Sequence, residues 1–409
     1  MAPVVVQNTG SDWATGYSNQ RKIDRTSNGV LWEVHTSGFS IMALYSVDDG
    51  VTWVNDTGNI PVNSGGSGTI KANCSFFIDK DDYAHIVWKQ AGTFGSWTAG
   101  YIYYRRGTPN ADRTAYTWSP SVVIYNGDTN GDYPDIIAHR EGTGWAVHIV
   151  FSYALGSVNS TTWVKIAIDN LQNIGAPSSM QIGGNYGTGI HTWPSIDFNH
   201  TGDGKTVAGG TPHLYAAWSA GAAGSGKGIR FRKATYSGGT WTWGTEREID
   251  STRYMPSVAA WLDCIFTGSK LWLAGGLLAP GNSMVLYERD LADTTTTTHV
   301  LINPVSGDTQ LVEGSATYDA NGNIYFIGRS SVSSDWKISY YVWNNGLSEM
   351  KHLYDAIGNN PYVSAKRGYS GNKIELVFIE GASSPYSVMY DSILLAGSGA
   401  SGFGPIPLG

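Results

Sequence analysis

Apolar residues along this chain gather in short runs that end in Gly, Asn, Asp or Pro. No stretch beyond about ten residues keeps a 3.6-residue apolar period. Short runs bounded by turn residues predict strands, so the chain reads as all-β. Written under one another, the runs repeat. One apolar strand type occurs at 31–35, 85–88, 148–151, 214–218, 271–274, 324–327 and 374–378, at intervals of 50 to 66 residues. Most copies are preceded by another apolar run and a polar turn, as at 24–29, 79–82, 319–322 and 369–372, where Asn-Gly and Ser-Gly supply hairpin chemistry. A third strand follows each copy, at 41–45, 101–105, 163–168, 228–233, 284–288, 338–342 and 386–390. Most have a fourth, as at 117–124, 241–249, 298–302 and 350–354. Repeats of this length predict the blades of a β-propeller.

Several inner strands begin on an X-Pro pair: Tyr133-Pro134, Trp193-Pro194, Met255-Pro256 and Asn360-Pro361. Proline at that position forfeits no ladder bond. The seventh repeat lacks a fourth strand, because the chain passes into a glycine-rich stretch at 396–404, while an orphan strand at 4–7 precedes the first repeat. Letting residues 4–7 fill the gap pairs backbone groups that would otherwise stay unpaired at an edge. The expectation is one propeller domain over 1–395, with seven four-stranded blades, an N-terminal closing strand and a tail at 396–409. A poorly marked outer strand near Met180 leaves six or eight blades open.

Between the runs at 40–45 and 52–55 lies Ser46-Val-Asp-Asp-Gly-Val-Thr-Trp53. Ser46 and Asp48 can bond backbone N–H groups across a turn, Gly50 accepts φ > 0, and Thr52 with Trp53 starts the next strand. The spacing S-x-D-x-G-x-T-W resembles the Asp-box, or bacterial neuraminidase repeat, of sialidase-like β-propellers. It joins a third to a fourth strand. In a propeller those turns share a face with the first-to-second turns, away from the loops that lead into the inner strands. Ser46, Asp48, Gly50, Thr52 and Trp53 therefore read as a structural device. A relative without the aspartate, Tyr236-Ser-Gly-Gly-Thr-Trp241, occupies the same place in the fourth repeat.

Charge narrows the partners. Lys and Arg total 26 against 33 Asp and Glu, the net charge is −7, and no basic block occurs, which argues against nucleic acid. Only 14% of residues are charged, while Gly numbers 52, Trp 16 and Tyr 24, a composition that suits tightly turned strands. No apolar run approaches the roughly 20 residues of a membrane helix. The N-terminus shows no signal peptide, which implies synthesis in a cytoplasm. Cys74 and Cys264, each inside an apolar run, read as buried free thiols. The histidines show no metal-binding spacing, and the strings at 128–132 and 319–323 read as turns rather than calcium loops, so no metal or cofactor is expected.

The face where loops lead into the inner strands collects Trp13, Tyr17, Arg21, Trp97, Tyr133, His191, Trp193, Arg253, Tyr254, Glu313, Arg329 and Trp336. Flat rings beside hydrogen-bonding groups suit sugars, which makes Trp97, Tyr133, His191, Trp193, Arg253 and Tyr254 the expected ligand contacts. The resemblance to sialidases implies three arginines on a carboxylate, a Tyr–Glu nucleophile pair and an aspartic acid catalyst. Arg21, Arg253 and Arg329, Tyr254 with Glu313, and Asp135 can be cast in those roles. The family's first arginine usually sits in a Phe/Tyr-Arg-Ile-Pro motif, whereas this chain reads Gln20-Arg21-Lys22-Ile23, and the usual series of boxes is reduced to one. A polysaccharide lyase would instead need a base such as His191 with Arg253 and Tyr254.

The pattern at 21–32 followed by 43–53 is similar to the sialidase-like propellers in virion proteins of tailed bacteriophages. That resemblance implies a non-enzymatic module at the virion surface, decorating the particle or recognising host glycan. The alternatives are a glycan-cleaving enzyme, either an exo-sialidase-like glycoside hydrolase or a polysaccharide lyase, and a protein-interaction scaffold. The expected partners are a glycan or a virion protein, the latter docked through Phe403, Ile406 and Leu408 of the tail.

Overall fold

The computed structural model describes residues 3–395 apart from 10–13, 17–19, 38–39, 57–59, 61–73, 92–99, 126–129, 156–157, 170, 185–192, 221–227, 256–260, 269, 279–282, 292–294, 303–310, 333–334, 349, 356–361, 370 and 382–383. The tail at 396–409, with Phe403, Ile406 and Leu408, lies outside the described residues.

The chain opens with β1 (Val4–Thr9). Blade 1 is β2 (Ile23–Arg25), β3 (Leu31–Ser37), β4 (Ser40–Ser46) and β5 (Val54–Asn55). Blade 2 is β6 (Cys74–Ile78), β7 (Ala84–Ala91) and β8 (Gly100–Pro109), with β9 (Tyr116–Trp118) and β10 (Val122–Tyr125) sharing the outer place. Blade 3 is β11 (Asn130–Glu141), β12 (Gly144–Leu155), β13 (Val158–Ile168) and β14 (Ser178–Gln181). Blade 4 is β15 (Ser195–Phe198), β16 (His213–Ala220) and β17 (Gly228–Ser237), with β18 (Thr240–Trp243) and β19 (Arg247–Asp250) both against β17. Blade 5 is β20 (Trp261–Phe266), β21 (Leu271–Leu278), β22 (Ser283–Arg289) and β23 (Thr296–Ile302). Blade 6 is β24 (Val312–Tyr318), β25 (Ile324–Val332), β26 (Asp335–Trp343) and β27 (Lys351–Asp355). Blade 7 is β28 (Val363–Ala365), β29 (Lys373–Glu380) and β30 (Tyr386–Leu394), completed by β1.

The closure runs antiparallel from Val4 opposite Tyr390 to Thr9 opposite Tyr386. With β14 supplying the third repeat's outer strand, the ring has seven blades. Two expected outer strands differ in detail. The run at 117–124 divides at Ser119-Pro120, where proline brings no donor, and the run at 241–249 divides around Gly244. The string at 128–132 is not a turn over its described part: Asn130 to Asp132 open β11, and Asp132 is held by Lys89 at 2.7 Å. The string at 319–323 is a turn, in which Asp319 Oδ1 accepts the N–H groups of Asn321 (2.9 Å) and Asn323 (3.0 Å).

Burial falls from axis to rim, which explains the sequence pattern. Inner strands such as β6, β15 and β20 are buried at every position, whereas β5 and β14 are exposed throughout. A strand packed between two blades needs apolar residues on both faces, so it reads as an uninterrupted run. Trp32, Trp88, Trp218 and Trp261 are fully buried between the blades. Each removes about 150–250 Å² from water, a gross gain of roughly 4–6 kcal/mol. Both cysteines are buried and unpaired.

Every blade presents an inner edge to the axis, and side chains bridge those edges. Asp24 Oδ2 accepts from Ile78 N–H (2.9 Å), Asp135 Oδ2 from Ile196 N–H (3.0 Å) and Asp197 Oδ2 from Phe266 N–H (2.8 Å). Asp263 Oδ2 accepts from Ala316 N–H (2.6 Å), and Ser364 Oγ from Lys22 N–H (3.0 Å). Backbone donors on five of the inner edges thus find side-chain acceptors on the neighbouring blade, which eases the edge-strand problem at the centre of the ring.

The 46–53 turn joins β4 to β5 on the face opposite the inner-strand lead-ins. Gly50 N–H donates to Ser46 Oγ (2.8 Å), Thr52 N–H to Asp48 Oδ1 (2.8 Å) and Trp53 Nε1 to Gly50 O (3.2 Å). Gly50 has φ +89° and lies against the Tyr390 ring, where an added Cβ would come within 2.0 Å of Cε1. Asp49 meets Arg25 at 2.7 Å and also pairs with Lys373. The turn therefore fastens blade 1 to blade 7 beside the closure.

Candidate functional site

Tyr133 lies in β11 just after Asp132, and Trp193 lies two residues before β15. The structure brings them together with ring centroids 5.3 Å apart and planes at 42°. Their backbones are left-handed, at φ 53° and 34°. For a bulky residue preceding proline this costs on the order of 1–3 kcal/mol and persists only where surroundings impose it. A register shift in β11 between Asp132 and Asp135 marks a bulge at the same point. Asp132 fixes it, accepting Tyr133 N–H at Oδ1 (3.0 Å) while Oδ2 takes buried Lys89 (2.7 Å). Both rings are buried, 3% and 7% exposed, so they form the floor of this face rather than its rim. Met255, the third X-Pro position, packs in the same cluster and donates its N–H to Ser219 Oγ (2.8 Å).

The arginines do different work. Arg21 enters the axis, where its Nη1 donates to Ala365 O (3.2 Å) and to Ser315 Oγ, and its Nη2 lies 3.2 Å from Asp263. Burial pushes the Asp263 carboxyl up to about 6, against the opposing pull of Arg21. Burial likewise raises Asp135, which Arg367 approaches at 3.5 Å. Burial would raise Asp197 too, but Arg367 at 2.8 Å and His200 overcome it and hold that carboxyl down to about 2. The axis thus carries a buried ionic network. Arg253, half-buried, pairs with Asp250 at 2.7 Å, whose Oδ2 also accepts Tyr287 OH (2.8 Å). Tyr254 is half-buried beside it, and Arg329 is buried on β25. Glu313 belongs to β24 and Trp336 to β26, but their side chains, like Trp13, Tyr17, Trp97 and His191, lie outside the described set.

Two histidines that no sequence spacing marked meet inside blade 3. His148 Nε2 is 3.1 Å from His139 Nε2, and Glu141 lies close enough that the three ligand atoms fall within 4.8 Å. Their tautomers follow from their neighbours. Trp163 Nε1 donates to His148 Nδ1 (3.3 Å), so His148 carries its proton on Nε2 and donates to His139, whose Nδ1–H faces Arg140 O (2.9 Å). A metal on both Nε2 atoms would set a His148 Nδ1–H against the Trp163 N–H, so the arrangement fits a neutral pair. Burial depresses both, His139 to about 4 and His148 well below its ordinary value. The pair was reachable from sequence: the hairpin centred between Gly142 and Thr143 pairs His139 with Ala146 and Ile137 with His148, which puts both rings on one face.

Among the described residues, the face of the 46–53 turn carries a concavity of about 320 Å³ beside Glu141 and Trp145 and another of about 170 Å³ between blades 5 and 6.

No protein-family model and no curated protein matches the sequence. Solved structures with a similar fold include the polysaccharide lyase Uly1, at 12% identity and TM-score 0.53 over 92% of this chain and 90% of that one. The NanB sialidase from Streptococcus pneumoniae follows at 11% and 0.48, over 87% and 71%. A six-bladed fucose-recognising lectin from Aleuria aurantia gives 12% and 0.43, over 78% and 93%. The likeness to the lyase establishes a shared propeller fold along nearly the whole chain.

Proposed function

We propose that this chain is a glycan-binding propeller that holds its ligand on the face of the inner-strand lead-ins, does not cleave it, and serves at the surface of a tailed-phage virion. The observation that carries the binding reading is the Tyr133–Trp193 pair, two large rings kept 5.3 Å apart on strained backbone at the start of adjacent blades. Such strain is retained where a site requires a fixed geometry, and aromatic floors suit the C–H faces of sugars. Lack of cleavage is supported by the fate of the candidate catalytic groups: Arg21 and Arg253 are committed to Asp263 and Asp250, and Asp135 is enclosed in the axial network. A carboxylate-binding arginine fork needs its donors free. The virion placement is supported by the blade pattern at 21–32 and 43–53 with its single box-like turn. Docking through Phe403, Ile406 and Leu408 goes with it.

A glycan array probed with the wild type and with Trp193→Ala tests binding, alongside incubation with sialosides and acidic polysaccharides. The expected result is binding without product release, weakened in the variant by about 2 kcal/mol, or roughly thirtyfold. Product release that disappears in Arg253→Ala or Glu313→Ala would replace this reading with the enzyme. A blank array with one captured protein would replace it with the scaffold. Peptide mapping of purified particles tests the virion placement, and deletion of 396–409 tests the tail, since unchanged particle occupancy would exclude docking through it.

A further inference from the structure

The smaller concavity, about 170 Å³, opens on the face opposite the Tyr133–Trp193 floor. Lys270 and Trp272 reach it from the first hairpin of blade 5, Asn321 from the matching hairpin of blade 6, and Trp343, Asn344 and Asn345 from the turn between β26 and β27. At about 30 Å³ per water it holds the volume of five or six waters, the space of one sugar ring.

Three features define what it would take. First, Trp272 is buried at 4% exposure with its indole N–H enclosed, so it lends the cavity an apolar wall rather than a donor. Second, Asn344 and Asn345 stand exposed at the rim, with Asn345 in a left-handed conformation at φ 54°. A carboxamide offers a donor and an acceptor side by side, which matches neighbouring hydroxyls or an acetamido group. Third, the cation lining the cavity, Lys270, lies 2.9 Å from Glu288 and 5.3 Å over the Trp272 ring. Its charge is balanced, so the site favours a neutral ligand over an anion. His299 packs beside both indoles, 4.8 Å from Trp343 and 6.4 Å from Trp272.

We infer that this cavity is a second saccharide site, taking one neutral hexose or N-acetylhexosamine unit against Trp343 and the asparagines of the rim. It does not rest on the binding proposed for the other face.

The probes are the methyl glycosides of glucose, galactose and N-acetylglucosamine, followed by saturation-transfer NMR and by tryptophan fluorescence on the full chain. A single ring should bind with a Kd on the order of millimolar. Trp343→Ala should weaken the bound sugar tenfold or more, while Trp193→Ala on the other face leaves it unchanged. Because Trp343 also packs against the core, Asn321→Ala/Asn344→Ala, altering two exposed side chains, should weaken binding at least fivefold with an unchanged melting temperature. Silence from all three glycosides would overturn the inference. So would a signal that survives both variants of this cavity, or one that vanishes in Trp193→Ala, which would assign it to the other face.

Discussion

Arg21→Met tests the axial network most directly. Asp263 is fully buried, and burial holds its carboxyl up at about 6 with Arg21 3.2 Å away as counter-charge. A carboxyl whose folded pKa is raised stabilises fully below its unfolded value, near 3.9, and that contribution is lost as pH rises through the folded value. Removing Arg21 strands an ionised carboxylate above that point, at about 3–5 kcal/mol. At pH 5 Asp263 takes a proton instead, and the cost falls to the lost hydrogen bonds to Ser315 and Ala365, about 1–2 kcal/mol. At about 2.1 cal/mol/K per residue, 409 residues give an unfolding entropy of about 0.9 kcal/mol/K. Calorimetric melts should therefore show the variant about 3–6 °C below wild type at pH 8 and only about 1–2 °C below at pH 5. Adding Asp263→Asn should return part of the loss at pH 8. Equal losses at both pH values, or no return in the double variant, would refute the assignment of Arg21 as the counter-charge.

Gly50→Ala combines a φ of +89° with a methyl 2.0 Å from the Tyr390 ring, and should cost about 2–4 kcal/mol. Thermal melts should drop by about 2–5 °C, and an unchanged melt would mean that the turn does not press on blade 7. The histidine pair sets an acid limit. His139 is depressed to about 4, so the stability it supplies is complete above its ordinary 6.5 and is lost as pH falls toward 4, by about 3 kcal/mol. Melting temperatures measured from pH 7 to pH 4 should fall less steeply for His139→Asn than for wild type. Identical slopes would place the acid sensitivity elsewhere.

What was legible follows from periodicity and local chemistry. Second strands such as β7 and β16 are squeezed between blades, so their apolar runs repeat along the chain and disclose the ring. The 46–53 turn was legible because its hydrogen bonds span only a few residues, as between Asp48 and Thr52. The closure was legible because an unpaired edge in blade 7 and a spare strand at the start of the chain match. The axial network was not. Arg21 meets Ser315 across 294 residues of sequence, and nothing local states which side chains share a level on the axis. Tyr133 and Trp193 were recognised as neighbours in role through their X-Pro pattern, but their left-handed backbone and burial belong to the packing of blades 3 and 4. The Trp272–Trp343 cavity arises from turns of two blades that look like ordinary hairpins when read one at a time.

The pairing of β1 with β30 also has a consequence for synthesis. Val4 leaves the ribosome 386 residues ahead of its partner Tyr390. At about 5–20 residues per second, β1 waits roughly 20 to 80 s for the strand it must join. During that interval it is an apolar strand without a sheet, and the nascent blades form an open arc whose final edge does not yet exist. The ring has no loose start because the strand of the propeller that is made first is the last to find its place.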